Sequence, residues 1–105
     1  MSQERLSIII PTKNESEAIG NVVADARKAY PDAEIIVVDD GSDDGTGAIA
    51  AEHGATVVTH PESLGNGAAV KSGARAATGS ILAFMDGDGQ HDAGEFEQLL
   101  AKFID

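Results

Sequence analysis

Four short apolar runs recur along the chain: LSIII (6–10), EIIVVD (34–39), ATVVTH (55–60) and SILAFM (80–85). Each is continuous rather than alternating, the pattern of a strand buried on both faces. After each comes a segment whose apolar residues return at helical spacing. In 17–30, Ile19, Val22, Val23, Ala26 and Tyr30 share one face, and Thr12 and Glu15 stand at capping-box spacing ahead of them. A short helix is predicted from about Asp43 to His53, with Gly54 as a left-handed stop. A small-residue helix follows inside SLGNGAAVKSGARAATG (63–79), stopped by Gly79. A last amphipathic helix in GEFEQLLAKFI (94–104) would bury Phe96, Leu99, Leu100 and Phe103. Doubly buried strands separated by helices call for an α/β, Rossmann-like, three-layer α/β/α architecture. Its mainly parallel sheet of four strands is joined by right-handed crossovers. At 105 residues the chain is read as one domain, 1–105.

Ligands of open α/β sheets bind beyond the carboxyl ends of the strands. Here those ends carry PTKNE (11–15), DDGS (39–42), HPESLGNG (60–67) and DGDGQHD (86–92), so every polar cluster falls on one edge. The chain has 18 acidic against 7 basic residues, a net charge of −11. Crowding Asp86, Asp88 and Asp92 onto it costs Coulomb energy unless they splay into water or share a cation. Oxygen ligands at i, i+2 and i+4 (Asp86, Asp88 and Gln90) suit Mg²⁺ or Mn²⁺. The alternative is a polar loop with Asp92 near the positive end of the next helix.

Asp39 and Asp40 end an apolar strand, where a carboxylate accepts hydrogen bonds from a base or a ribose. Turn chemistry and an N-cap explain part of Asp40–Asp43 equally well, and explain Asp39 least. Pro11 to Glu15 suit a pocket wall, although Glu15 also serves as a cap. Gly65, Asn66 and Gly67 let backbone N–H groups approach a phosphate or simply allow close packing. Lys71 lies a turn further into that helix. The histidines are scattered, and only His91 adjoins the acidic cluster.

Composition removes several classes. There is no cysteine, hence no disulfide, thiolate catalysis or Cys-based zinc site. No apolar stretch reaches membrane-spanning length and the N-terminus lacks a signal-peptide core, which makes the cytoplasm the expected compartment. The charge argues against nucleic acid as a partner. It permits a phosphorylated ligand bridged by a divalent cation, and it also suits a surface adapted to high salt.

Taken together, SIIIPTKNE, IIVVDDGSDDGT and LGNGAAVKSGARAATGSILAFMDGDGQHD resemble the N-terminal half of a GT-A family 2 glycosyltransferase. The likeness is greatest to dolichyl or polyprenyl phosphate mannosyl- and glucosyltransferases, which commonly show D-A-D-x-Q-H where this chain has DGDGQH. The resemblance implies a nucleotide-diphospho-sugar (GDP-mannose or UDP-glucose type) as ligand. Pro11, Thr12, Glu15, Asp39, Asp40, Lys71 and Asp86 would line its nucleotide site. Asp86, Asp88 and Gln90 would hold Mg²⁺ or Mn²⁺ at the diphosphate. Gly87 stands where Ala is usual, and Ser63 where Asn is frequent. Members of the family continue into an acceptor-binding half, so a chain ending at Asp105 is expected to bind donor with little transfer and to contain no catalytic residue of its own. The implied strand order is 3-2-1-4, with strand 80–85 left as an exposed edge that predicts a homodimer.

Other readings compete. ILAFMDGDG also resembles the start of haloacid-dehalogenase-type phosphatases, with Asp86 as nucleophile and Asp88 as general acid. There the motif ends the first strand, and Gln90 stands where Thr or Val is expected. A non-catalytic nucleotide-sugar-binding or assembly module is a third reading. A receiver-like signalling domain ranks last, lacking the strand-end Thr and Lys.

Overall fold

The computed structural model describes residues 5–85, 87 and 100–102. The elements are β1 (Leu6–Thr12), α1 (Ile19–Ala29), β2 (Glu34–Asp40), α2 (Thr46–Glu52), β3 (Thr56–His60), α3 (Asn66–Ala76), β4 (Ile81–Phe84) and β5 (Leu100–Lys102). They build one sheet in the order β3-β2-β1-β4-β5. The first four strands are parallel, in the order expected from the sequence.

Strand alternation explains why both faces are apolar. Ile8, Ile10, Ile35 and Val37 meet Ile19, Val22, Val23 and Ala26 of α1 and Ala50 of α2. Ile9, Ile36, Val38 and Leu82 meet Ala69 of α3 on the opposite face. Successive residues of one strand thus enter different layers. Helix α3 lies so close that a Cβ on Gly73 would collide with Ile9 and stand 3.1 Å from Val38 Cγ2. Only glycine allows that approach.

Several local expectations are corrected. Residues 100–102 form a strand rather than part of a helix over 94–104, and β5 pairs antiparallel with β4. An unpaired strand edge recruits any extended segment within reach, and that pairing overrides the helical pattern. The edge invoked for a homodimer is therefore occupied. Phe96, Leu99 and Phe103 lie outside the described residues or their described side chains. The capping box of Thr12 and Glu15 does not form. β1 runs on through Thr12, and α1 begins after an Ala18 cap with no side-chain bond. Gly54 does stop α2 with φ +94°. Gly79 does not stop α3, which ends at Ala76 with Ala77 as its cap. It is a close approach, since a Cβ there would meet the Arg5 carbonyl and lie 2.5 Å from Ser7 Oγ.

The amino edge is also less plain than its sequence suggests. Glu34 accepts hydrogen bonds from Ser7 Oγ (2.8 Å) and from Thr78 N (2.8 Å), tying β1 and β2 to the approach of β4.

Pro11 sits inside β1 rather than ending it. A central strand tolerates proline only where no partner needs the missing N–H. Ile9 carbonyl accepts from Met85 N at 3.0 Å, and two residues on, Pro11 faces the same side after β4 has ended. β1 continues alone with β2, pairing Pro11 with Val38 and Thr12 with Asp39. The gap this leaves lies between β1 and β4, where the strand order reverses. Sheets of this kind bind ligands at such a switch point.

Candidate functional site

At that edge, Pro11, Thr12, Lys13, Asp40, Ser63, Gly65, Asn66 and Ala69 line a cavity of about 280 Å³. Three residues predicted from sequence therefore share one space: Pro11, Thr12 and Asp40. A larger cavity of about 550 Å³ opens at the amino edge beside Arg5, Tyr30 and Asp32 and contains none of them.

Asp39 and Asp40 are consecutive, so the pleat sends them to opposite faces. Asp39 turns toward α2, where its Oδ1 accepts from Ser42 N at 3.0 Å. A Cβ on Gly47 would lie 2.7 Å from its Oδ2. Asp40 turns toward α3. Its Oδ1 accepts from His60 Nδ1 (2.8 Å) and Leu64 N (2.8 Å), and its Oδ2 from Ser63 Oγ (3.0 Å) and Gly65 N (3.0 Å). Four donors on one buried carboxylate favour its charged form. The His60 bond and the Leu64 amide lead in holding its pKa far below the usual carboxylate range, against the opposing effect of burial. On the cavity wall Asp40 acts first as an anchor for the loop before α3.

The loops after β1 and β2 are joined in the same manner. Asn14, in the left-handed region at φ +52°, donates its N–H to Ser42 Oγ (2.8 Å) and accepts from Asp43 N on its Oδ1 (3.0 Å). Glu15 N donates to Thr46 Oγ1 at 3.0 Å, and Ser16 N to Asp44 Oδ2 at 3.2 Å. Asp44 in turn accepts from Thr46 N and from its hydroxyl. The Thr46 hydroxyl is the foremost cause that lowers the Asp44 pKa. α2 consequently starts at Thr46, not at Asp43. The polar letters of KNES and SDDGT are largely spent on each other.

What remains uncommitted is short. Thr12 Oγ1 is buried and has no hydrogen-bond partner among the described residues. A Cβ on Gly87 would stand 2.7 Å from that oxygen and 2.8 Å from Thr12 Cβ. Gly87, set between Asp86 and Asp88 in sequence, is thereby packed on the end of β1 beside the cavity. Asp86, Asp88 and Gln90 lie outside the described residues. Among the described residues no group of three acidic, His or Cys side chains could hold a metal. Glu15 and Lys71 do not line the cavity; Lys71 is exposed on α3.

Among the described residues the close packing expected at Gly65 and Gly67 does not occur, since a Cβ at either would meet nothing within 4 Å. Gly65 is required instead by its backbone, at φ +97° and ψ 163°, a region essentially closed to other residues. Sequence reasoning missed His60 and Ser63. Their signal is the β2–β3 register, which sets Asp40 beside His60, and a single sequence does not fix register.

Among the described residues no helix is long and apolar enough to cross a membrane. The family described as glycosyl transferase family 2 matches residues 7–105. An uncharacterized glycosyltransferase of Mycobacterium tuberculosis is 39% identical over 102 residues, covering 97% of this chain and 45% of that protein. The polyprenol monophosphomannose synthase of Mycolicibacterium smegmatis is 39% identical over 106 residues, covering 92% of this chain and 40% of that protein. The chain thus spans less than half the length of these relatives. A mannosyltransferase of Pyrobaculum calidifontis, solved in complex with GDP-Man and Mn²⁺, superimposes with TM-score 0.75 at 29% identity. That match covers 83% of this chain and 28% of the mannosyltransferase.

Proposed function

The chain belongs to glycosyl transferase family 2, and on that premise we propose that these residues bind a nucleotide-diphospho-sugar of the GDP-mannose or UDP-glucose type. The observation that carries the reading is the contact of Gly87 with Thr12. It sets Gly87, which lies between Asp86 and Asp88 in sequence, against Thr12 on the rim of the cavity at the carboxyl ends of β1 and β2. The cavity, about 280 Å³, is near the lower bound of ligand pockets, ~300 Å³. It suits the nucleoside end of the donor, with the diphosphate extending toward Gly87. Pro11, Thr12 and Asp40 line it, while Glu15, Asp39 and Lys71 do not.

Two carboxylates and an amide oxygen, from Asp86, Asp88 and Gln90, are a hard donor set that fits Mg²⁺ or Mn²⁺. Such an ion neutralises diphosphate charge and stabilises it as a leaving group. Transfer of the hexosyl group, to a polyprenyl phosphate as acceptor, is the reaction we propose for the whole protein, with the cytoplasm as its compartment. Donor binding is the share proposed for these residues.

Calorimetric titration of GDP-mannose, UDP-glucose and the free nucleotides, with and without Mn²⁺, tests this on wild type and Asp88→Ala. Metal-dependent binding of one nucleotide series, lost in Asp88→Ala, is the expected result. Folded protein that binds neither series at any salt concentration would remove the donor site.

A further inference from the structure

We propose that His60 is a positioning residue for the nucleoside end of this site, acting through a hydrogen-bonded chain from Ser72 to Asp40 and touching no ligand itself. The inference rests on the donor-binding reading above. His60 is buried at the end of β3, 8% exposed. Its Nδ1 lies 2.8 Å from Asp40 Oδ1 and its Nε2 lies 2.8 Å from Ser72 Oγ on α3.

The direction of each proton follows from the partners. An ionised carboxylate only accepts, so Nδ1 carries the hydrogen. In the neutral ring Nε2 then accepts, and the Ser72 hydroxyl donates to it. His60 is thus held in one tautomer from both sides.

The chain closes on itself. Ser72 is in the second turn of α3, and the loop leading into α3 hangs on the far end of the same chain, through Ser63, Leu64 and Gly65 on Asp40. The terminal torsion of an aspartate is broad. Without the ring against Oδ1, the carboxylate swivels and the Leu64 and Gly65 N–H groups lose a fixed acceptor. Those groups hold Gly65 in its glycine-only conformation, and Asp40, Ser63, Gly65 and Asn66 form one side of the cavity. Ser72 is not among the residues lining that cavity.

The test uses Ser72→Ala, Ser72→Thr and His60→Asn, the last keeping a donor toward Asp40 while losing the reach to Ser72. Amide exchange is followed by nitrogen-15 NMR without ligand, and nucleotide affinity by calorimetry. Expected are an Nδ1–H tautomer in wild type and about tenfold faster exchange at Leu64 and Gly65 in Ser72→Ala and His60→Asn, with both variants still folded and melting lowered by about 4–8 °C for each kcal/mol lost. Nucleotide binding should weaken about tenfold in both, the loss of one hydrogen bond. Ser72→Thr should restore both readouts. The double variant should be no worse than either single one, since both break one chain. Wild-type affinity in both variants would overturn the positioning role. An Nε2–H tautomer, or amide exchange unmoved by either variant, would overturn the chain itself. Absence of nucleotide binding in wild type would overturn the donor reading and the positioning role with it, leaving the amide result to stand separately.

Discussion

The two acids at the end of β2 differ in what their neighbours ask of them. Asp40 satisfies four donors, so its charge is worth most when the protein is folded. Its folded pKa lies below the unfolded value of about 3.9. The unfolded chain therefore takes up the proton first as pH falls. Stability from Asp40 is complete above about pH 5 and lost as pH drops through 4 toward its folded pKa. Asp40→Asn presents an amide to donors that need an acceptor, and should cost about 1–3 kcal/mol near neutrality. Urea unfolding at pH 7 and pH 3.5 checks both parts, because the variant should also lose some of the wild-type decline in acid. Gly87 makes a second residue-level case. Alanine there meets Thr12 Oγ1 and Cβ within 2.8 Å, an overpacking that should cost about 1–3 kcal/mol in the same assay.

Between elements, the loops after β1 and β2 behave as one piece. Thr46 is fully buried and its hydroxyl serves Glu15 N and Asp44 together. Thr46→Val keeps the shape and strands both partners, and a loss of about 1–3 kcal/mol in thermal unfolding is expected. At the start of α3, Gly67 has open space above it. Gly67→Ala should raise helix stability by about 0.5–1 kcal/mol, read by thermal unfolding. These elements also show how far the sequence could be read. Uninterrupted apolar runs located the strands, most clearly β1 and β2, which are buried on both faces. Crossover rules supplied parallel pairing. The caps were misread, because Thr12 and Glu15 have the right spacing but β2 keeps pairing past the point where a helix would start. β5 was missed because a strand edge seeking a partner is a property of the assembled sheet. Of the residues at the strand ends, Pro11, Thr12 and Asp40 line the cavity, whereas Asp39, the acid that turn chemistry explains least, is turned away by the pleat.

At the scale of the whole molecule, charge and edges decide association. β5 pairs with β4, so two copies joined by strand pairing would have to use β3 or β5. Light scattering of the protein at high concentration checks whether any dimer forms, and a charge of −11 makes raised salt the condition most favourable to one. The reversal in strand order has a further consequence, in time rather than space. β1 meets β2 between Ser7 and Glu34, 27 residues apart, but meets β4 between Leu6 and Ile81, 75 residues apart. Closing the longer loop costs about 0.9 kcal/mol more in chain entropy. During folding β1, β2 and β3 should therefore assemble first and β4 dock afterwards. Pulse-labelled hydrogen exchange should find β2 amides protected before those of β4. The seam that opens beside Pro11 would then be the last part of the sheet to form, so a ligand seated there would act on the final step of folding and slow its reversal.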